Sequence, residues 1–143
     1  MNVKTIIGRK GAGVVTARER DTIGEVAATL RAERIGALVV SNDGVAVDGI
    51  VSERDIVQGL VEHGASLLDR EVGLVMTREV ITCTPEESVG DLMAKMSGRR
   101  IRHLPCVEDG RLCGIVSIGD VVKHRLGEIE AEAEAMRAYI ATG

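Results

Sequence analysis

The chain of 143 residues has no Phe, no Trp and a single Tyr, Tyr139. Stacking of bases on aromatic side chains, the usual means of holding single-stranded nucleic acid, is therefore nearly excluded. Positive charge is also in short supply, with 18 Lys and Arg against 22 Asp and Glu, a net charge of −4 and a pI near 5.4. Nucleic acids and anionic membranes both reward a basic field, so neither is expected as a partner. No apolar run approaches the roughly 18 residues of a spanning helix, and the opening Met1-Asn2-Val3-Lys4-Thr5-Ile6-Ile7 carries no signal-peptide core or cleavage site. The expectation is a cytoplasmic protein.

Cysteine is sparse and odd in number. Cys83, Cys106 and Cys113 lack Cys-x-x-Cys spacing and read as buried free thiols, neither a disulfide framework nor a metal site. His103 is close to Cys106 in sequence, but an offset of three along a strand sends the two side chains to opposite faces. No nucleophile–base pair, metal-ligand cluster or phosphate-transfer loop is visible, so the chain does not read as an enzyme.

What the chain has in quantity is aliphatic residues, and it has them twice over. Shifted by 66, residues 14–44 lie over 80–110 without a gap, and after a one-residue deletion 49–57 lie over 114–122. The two registers together give 15 identities in 40 aligned positions, among them Val14, Thr16, Gly24, Arg34, Leu38 and Gly44 with their counterparts. A duplicated supersecondary unit explains this. Units of about 60 residues are marginal alone, so their mutual packing should matter for stability.

The periodicity resolves each copy into β-α-β-β-α. Residues 14–17 read as a short strand, and Thr22-Ile23-Gly24-Glu25 is a capping box that starts a helix with Ile23, Val26, Ala27 and Leu30 on its buried stripe. Strands over 35–40 and 45–51 flank the turn signal Asn42-Asp43-Gly44, and a second helix begins near Asp55 and ends at His63-Gly64. The second copy repeats this with strands over 80–82, 101–107 and 112–116 and a helix capped by Ser88-Val89-Gly90-Asp91. Ahead of the first copy, Arg9-Lys10-Gly11-Ala12-Gly13 reads as a flexible loop with a solvated basic pair, or else as a turn that lets Lys10 meet a phosphate. The expected division is 1–66 for the first unit with its N-terminal lead, 67–126 for the second, and 127–143 for an amphipathic C-terminal helix.

Each unit closes on the same motif, Gly49-Ile50-Val51-Ser52-Glu53-Arg54-Asp55 and Gly114-Ile115-Val116-Ser117-Ile118-Gly119-Asp120. A buried strand ends in a hydroxyl, and three residues on a carboxylate opens a helix. Taken singly this is an ordinary capping box. Its recurrence at matching points of the repeat weighs for a second role. In the tail, Val122, Leu126, Ile129, Ala133, Met136 and Ile140 are spaced 4, 3, 4, 3, 4, a heptad seam that needs cover from its own body or, as we favour, from a second subunit.

Two tandem units closing with Gly-Ile-Val-Ser-x-x-Asp, with Arg102-His103-Leu104-Pro105 on the middle strand of the second, resemble a pair of cystathionine-β-synthase (CBS) domains, the Bateman module. The resemblance runs from about Val3 to about Leu126. It implies an α+β fold in which two β-α-β-β-α units pack through their sheets about a pseudo-twofold axis, leaving two clefts, with a C-terminal helix added. It further implies a regulatory module that binds an adenosine-containing ligand, modulates a partner protein or assembly, and forms homodimers. AMP is the first choice, with ADP, ATP, NAD(H) and S-adenosylmethionine as alternatives.

Carried over by motif, the resemblance places Asp55 on the ribose of the first cleft with Ser52 beside it. Ile50, Val51, Val80 and Ile81 clamp the adenine, and Arg54, Arg102 and His103 attend the phosphate. The second cleft receives Asp120, Ser117, Ile115, Val14, Val15 and the backbone at Gly36 and Ala37, with Lys10 reaching in. A helix N-terminal carboxylate suits vicinal hydroxyls, and the adjacent amides suit an anion. Because Glu53-Arg54 is replaced by Ile118-Gly119 in the second copy, and Gly36-Ala37 stands where the second copy has Arg102-His103, the first cleft is favoured for a phosphorylated ligand. The alternative is a structural dimerisation module in which both carboxylates only cap helices.

Overall fold

The computed structural model describes residues 2–10 and 13–142. Gly11 and Ala12 of the basic-glycine stretch lie outside them. Helix α1 (Val3–Lys10) leads into the first unit, formed by β1 (Thr16–Ala17), α2 (Ile23–Glu33), β2 (Ala37–Val40), β3 (Gly49–Ser52) and α3 (Glu53–His63). Two short 3-10 turns connect to the second unit, formed by α4 (Val89–Arg99), β4 (His103–Glu108), β5 (Arg111–Ser117) and α5 (Ile118–Thr142). No helix among the described residues is long and apolar enough to cross a membrane.

Local chemistry sets the helix ends. Thr22 and Glu25 close the expected capping box, each side chain meeting the other residue's backbone N–H at 3.2 Å. Ser88 makes half of one, accepting from the Asp91 amide at 3.0 Å. Both helices stop on an arginine in the left-handed region, Arg34 at φ 55° and Arg100 at φ 54°. The duplication thus extends to a backbone torsion that non-glycine residues rarely adopt.

The sheets are smaller than the sequence pattern suggests. In the first, β2 pairs in parallel with β1 and antiparallel with β3, Ala37 opposite Ser52 and Val40 opposite Gly49. The strand expected over 45–51 begins only at Gly49, because Asp43 Oδ1 accepts the amides of Val45 and Ala46 at 2.8 and 2.9 Å and draws the chain into a wider loop. In the second unit β4 and β5 form a two-stranded ladder, and the strand expected over 80–82 is reduced to one parallel bridge between Cys83 and Cys106.

Each unit has its own aliphatic core. The first gathers Ile23, Val26, Leu30, Leu38, Val40 and Val51, and the second Val89, Leu92, Met96, Leu104, Cys106 and Val116. The leads are exchanged between them. Val72 and Met76, which precede the second unit, lie in the first core, whereas Val3 and Ile6, which precede the first unit, lie in the second. This corrects two expectations: the N-terminal lead is a helix, not a loop, and it packs with the second unit. Its apolar residues Val3 and Ile6 recur at helical spacing, and burying them outweighs the tendency of the adjoining Gly8-Arg9-Lys10 to stay solvated.

Contacts between the units join equivalent or near-equivalent positions, as a twofold relation requires. Gly36 abuts His103, one residue from its own counterpart, and Val45 C=O accepts from Leu112 N–H at 2.7 Å. The pseudo-twofold axis therefore passes between the starts of β2 and β4 and between the two hairpins. The tail is continuous with the second unit. α5 runs without interruption for 25 residues, so the boundary drawn at 126/127 falls inside one helix.

Candidate functional site

The first motif folds as a strand that ends where α3 begins. Ser52 Oγ accepts from Asp55 N–H at 3.3 Å and donates to Asp55 Oδ2 at 3.0 Å, while Ser52 N–H donates to the same oxygen at 2.9 Å. The capping role is therefore real, and it engages the Ser52 hydroxyl in both directions. Asp55 Oδ1 has no hydrogen-bond partner among the described residues, and Asp55 lines a cleft of about 310 Å³. That volume is at the lower end of small-molecule sites, about 300–1,000 Å³.

Around this carboxylate the structure gathers Ile50, Ser52, Arg54, Val80, Ile81, Arg102 and His103. Val51 is the exception in the first set. It is fully buried in the first core, because alternation along β3 turns it away from Ile50. Gly36 and Ala37, expected in the second cleft, line the first. Both lie close to the axis, and the missing side chain at Gly36 admits the His103 ring, whose Cε1 and Nε2 would stand 3.4 Å from a Cβ there. The Gly36 carbonyl accepts from Glu53 N–H at 2.9 Å and so is committed to the start of α3.

Sequence reasoning missed Glu53, Thr77, Glu79, Arg100 and Ile101, which also line the cleft. Arg100 was legible in principle as a repeated residue at the end of a repeated helix. Thr77 and Glu79 sit in the connector, where no periodicity identifies them. The lining combines three guanidiniums (Arg54, Arg100, Arg102) with three carboxylates (Glu53, Asp55, Glu79), a polar mouth beside an aliphatic wall of Ile50, Val80 and Ile81.

His103 is held below the ordinary imidazole range. Burial is the main cause, with Lys10 and Arg102 adding repulsion, and the attraction of Asp120 and Glu53 does not overcome them. It is neutral at pH 7.

The second motif is built alike but ends differently. Asp120 Oδ2 accepts from Ser117 N–H at 2.9 Å and from Lys10 Nζ at 2.8 Å, and the same ammonium donates to Ile115 C=O at 2.8 Å. Burial opposes the charge on Asp120, but the Lys10 and Ser117 hydrogen bonds prevail and hold the carboxyl below its usual range. In the repeat register the counterpart of Lys10 is Met76, so Asp55 has no such cation. Ile115 and Ser117 are half-buried and hydrogen-bonded to these groups. Val14 and Val15 are half-buried, and Val15 packs against the first core.

These features define a duplicated two-unit body with an unpaired helix-start carboxylate facing a cleft. A family model described as CBS domain matches residues 7–62 and again 70–127, and the chain belongs to the CBS-domain family, of which it contains a pair. Among solved structures it is similar to the CBS-domain containing protein ATU1752 from Agrobacterium tumefaciens. The two share 47% identity and a TM-score of 0.83 over 87% of this chain and 99% of that one. It is also similar to the CBS domain pair of protein MJ0100, solved in complex with 5′-methylthioadenosine and S-adenosyl-L-methionine. There the identity is 29% and the TM-score 0.79 over 90% of this chain and 98% of that one. A curated relative, the mitochondrial CBS domain-containing protein CBSX3 of Arabidopsis thaliana, is 39% identical over 127 residues, 86% of this chain. This chain spans 62% of that relative's length and 34% of that of an uncharacterized 33.4 kDa protein of Thermofilum pendens.

Proposed function

We propose that this CBS pair is a regulatory module that binds an adenosine-containing ligand in the first cleft and passes the resulting change in the setting of its two units to a partner protein. The observation that carries the reading is the free Asp55 Oδ1 at the start of α3, opposite the aliphatic wall of Ile50, Val80 and Ile81. A carboxylate there accepts the hydrogen bonds of a ribose diol, and branched aliphatic faces sandwich a base without aromatics. The complexes of MJ0100 with two adenosyl compounds support the ligand class. The guanidiniums of Arg54 and Arg102 favour a phosphorylated member, with AMP ahead of ADP, ATP and NAD(H), and with S-adenosylmethionine as the unphosphorylated alternative. No catalytic step is part of the proposal.

A ligand that binds only the folded state stabilises it by about 2.7 kcal/mol at 100 times Kd. Thermal denaturation with each of these compounds in turn tests the reading. A rise in Tm with adenosyl compounds and none with guanosine or deoxyadenosine analogues supports it, whereas no rise with any adenosyl compound leaves the scaffold alternative.

The same proposal includes a homodimer formed through α5. Leu126, Met136 and Ile140 of the heptad seam are 54%, 62% and 69% exposed, an apolar stripe with little of the chain's own body over it. Light scattering on Leu126→Lys combined with Met136→Lys should show a monomer where the parent is a dimer.

A further inference from the structure

All three cysteines of the chain meet in the second unit, Cys106 and Cys113 on the strands of one hairpin and Cys83 on the segment before α4. The parallel bridge sets Cys83 directly opposite Cys106. On the other side of Cys106 the β4–β5 ladder slips, Cys106 pairing with Gly114 and Val107 with Leu112, so that Cys113 is the unpaired extra residue of a bulge. A bulge re-aims the side chain it carries. Here it turns Cys113 onto β4, with Sγ donating to the Cys106 carbonyl at 3.3 Å. Cys83 and Cys106 are 1% and 0% exposed, whereas Cys113 is only half-buried. The neighbouring Cys83 thiol, burial and the Cys113 thiol push the Cys106 thiol above its ordinary range.

We propose that Cys113 and Cys106 are a thiol modification site, at which hydrogen peroxide oxidises Cys113 and Cys106 then closes an intramolecular disulfide. The geometry assigns the order. Of the three cysteines Cys113 alone is not buried, so the peroxide oxygen is transferred there. The O–O bond breaks, one water leaves, and Cys113 becomes a sulfenic acid. The Cys106 sulfur attacks it, the S–O bond breaks, and hydroxide leaves with the Cys106 proton as a second water. Two thiols have lost two electrons in all and one peroxide has become two waters. Residues in adjacent strands at a bulge lie within the Cα separation a disulfide spans, about 4.4–6.8 Å. A thiol reductant reverses the bond.

The test uses the full chain, dilute hydrogen peroxide and tryptic mapping without reduction, and it needs no ligand. Cleavage after Arg78, Lys95, Arg102, Arg111 and Lys123 puts each cysteine on its own peptide. The expected product joins 103–111 to 112–123, lacks two hydrogens, migrates as a monomer on a non-reducing gel and disappears with dithiothreitol. Cys106→Ala should accumulate a Cys113 sulfenic acid that dimedone traps, and Cys113→Ser should leave Cys83 and Cys106 as thiols under the same dose. A cross-link that contains 79–95 instead, a Cys113 that stays a thiol, or oxidation of Cys106 in Cys113→Ser would each overturn the proposal.

Discussion

Asp55 caps α3 and, in the proposed function, also binds the ribose diol; substitution at two positions separates the two. In Asp55→Asn the amide oxygen keeps the acceptor that Ser52 N–H and Ser52 Oγ use, so the start of α3 survives. The amide nitrogen, however, faces the cleft as a donor where a ribose hydroxyl also donates. Losing a hydrogen bond to a charged acceptor costs about 1.5–3 kcal/mol, which is about a 10- to 150-fold weaker Kd. Ser52→Ala does the reverse. It removes the hydroxyl that accepts from Asp55 N–H, at a cost of about 0.5–2 kcal/mol of stability, but leaves Oδ1 in place. Calorimetric titration with AMP and urea unfolding of both variants give a crossed pattern: binding falls in the first with stability nearly kept, and stability falls in the second with the smaller change in binding. If Asp55→Asn binds AMP as tightly as the parent, the carboxylate is a helix cap and nothing more, and the diol assignment fails.

If the proposed ligand sets a phosphate beside His103, binding should depend on pH. Burial holds the free imidazole below its ordinary range and a phosphate raises it, so binding should take up a proton as pH falls through the interval between the free and bound values. The ratio of the His103→Gln Kd to the parent Kd should therefore grow between pH 7.5 and 5.5, and a constant ratio contradicts the placement of this ring at the phosphate. For Lys10→Met the sign runs through Asp120, whose folded carboxyl is depressed below 3.8. The stabilisation is present above that value and lost as pH falls through the folded one, so the variant should be less stable than the parent at pH 7, by about 1 kcal/mol or less for so exposed a pair, with the gap narrowing as denaturant titrations are taken below the ordinary carboxylate range. Gly49→Ala should be more destabilising than Gly114→Ala in the same assay. A Cβ at 49 would stand 3.0 Å from the Thr77 carbonyl as well as 2.9 Å from Met76 Sδ, whereas at 114 its nearest contacts are all to one side chain, Ile7, with no backbone atom among them. Overpacking against backbone costs about 1–3 kcal/mol.

Most of the fold was legible because the signals were local and came twice. Thr22 and Ser52 cap helices and the aliphatic stripes at helical spacing lie in the cores, as short-range chemistry dictates, whereas the left-handed stops at Arg34 and Arg100 have no such signal. What the sequence did not reveal depends on which segment packs where. Val3 and Ile6 carry an apolar stripe that only the finished second core can use, and the bulge at Cys113 arises from a ladder register that spacing alone does not encode. The cleft followed the same division. Ile50 and Asp55 follow from the repeated motif, and Arg102 and His103 from the family resemblance, whereas Thr77, Glu79 and the side of the axis occupied by Gly36 depend on the tertiary fold. Val51 was misplaced by reading Ile50 and Val51 as a pair, when a strand sends neighbours to opposite faces.

The exchange of leads makes the two units inseparable. A fragment cut at residue 66 would take α1 away from the core that Val3 and Ile6 complete and leave the first core without Val72 and Met76, so each half would be born with a hole and an orphan segment. The chain should accordingly melt in a single step, and a change that loosens one core should loosen the other, because each is closed by a segment that precedes its neighbour.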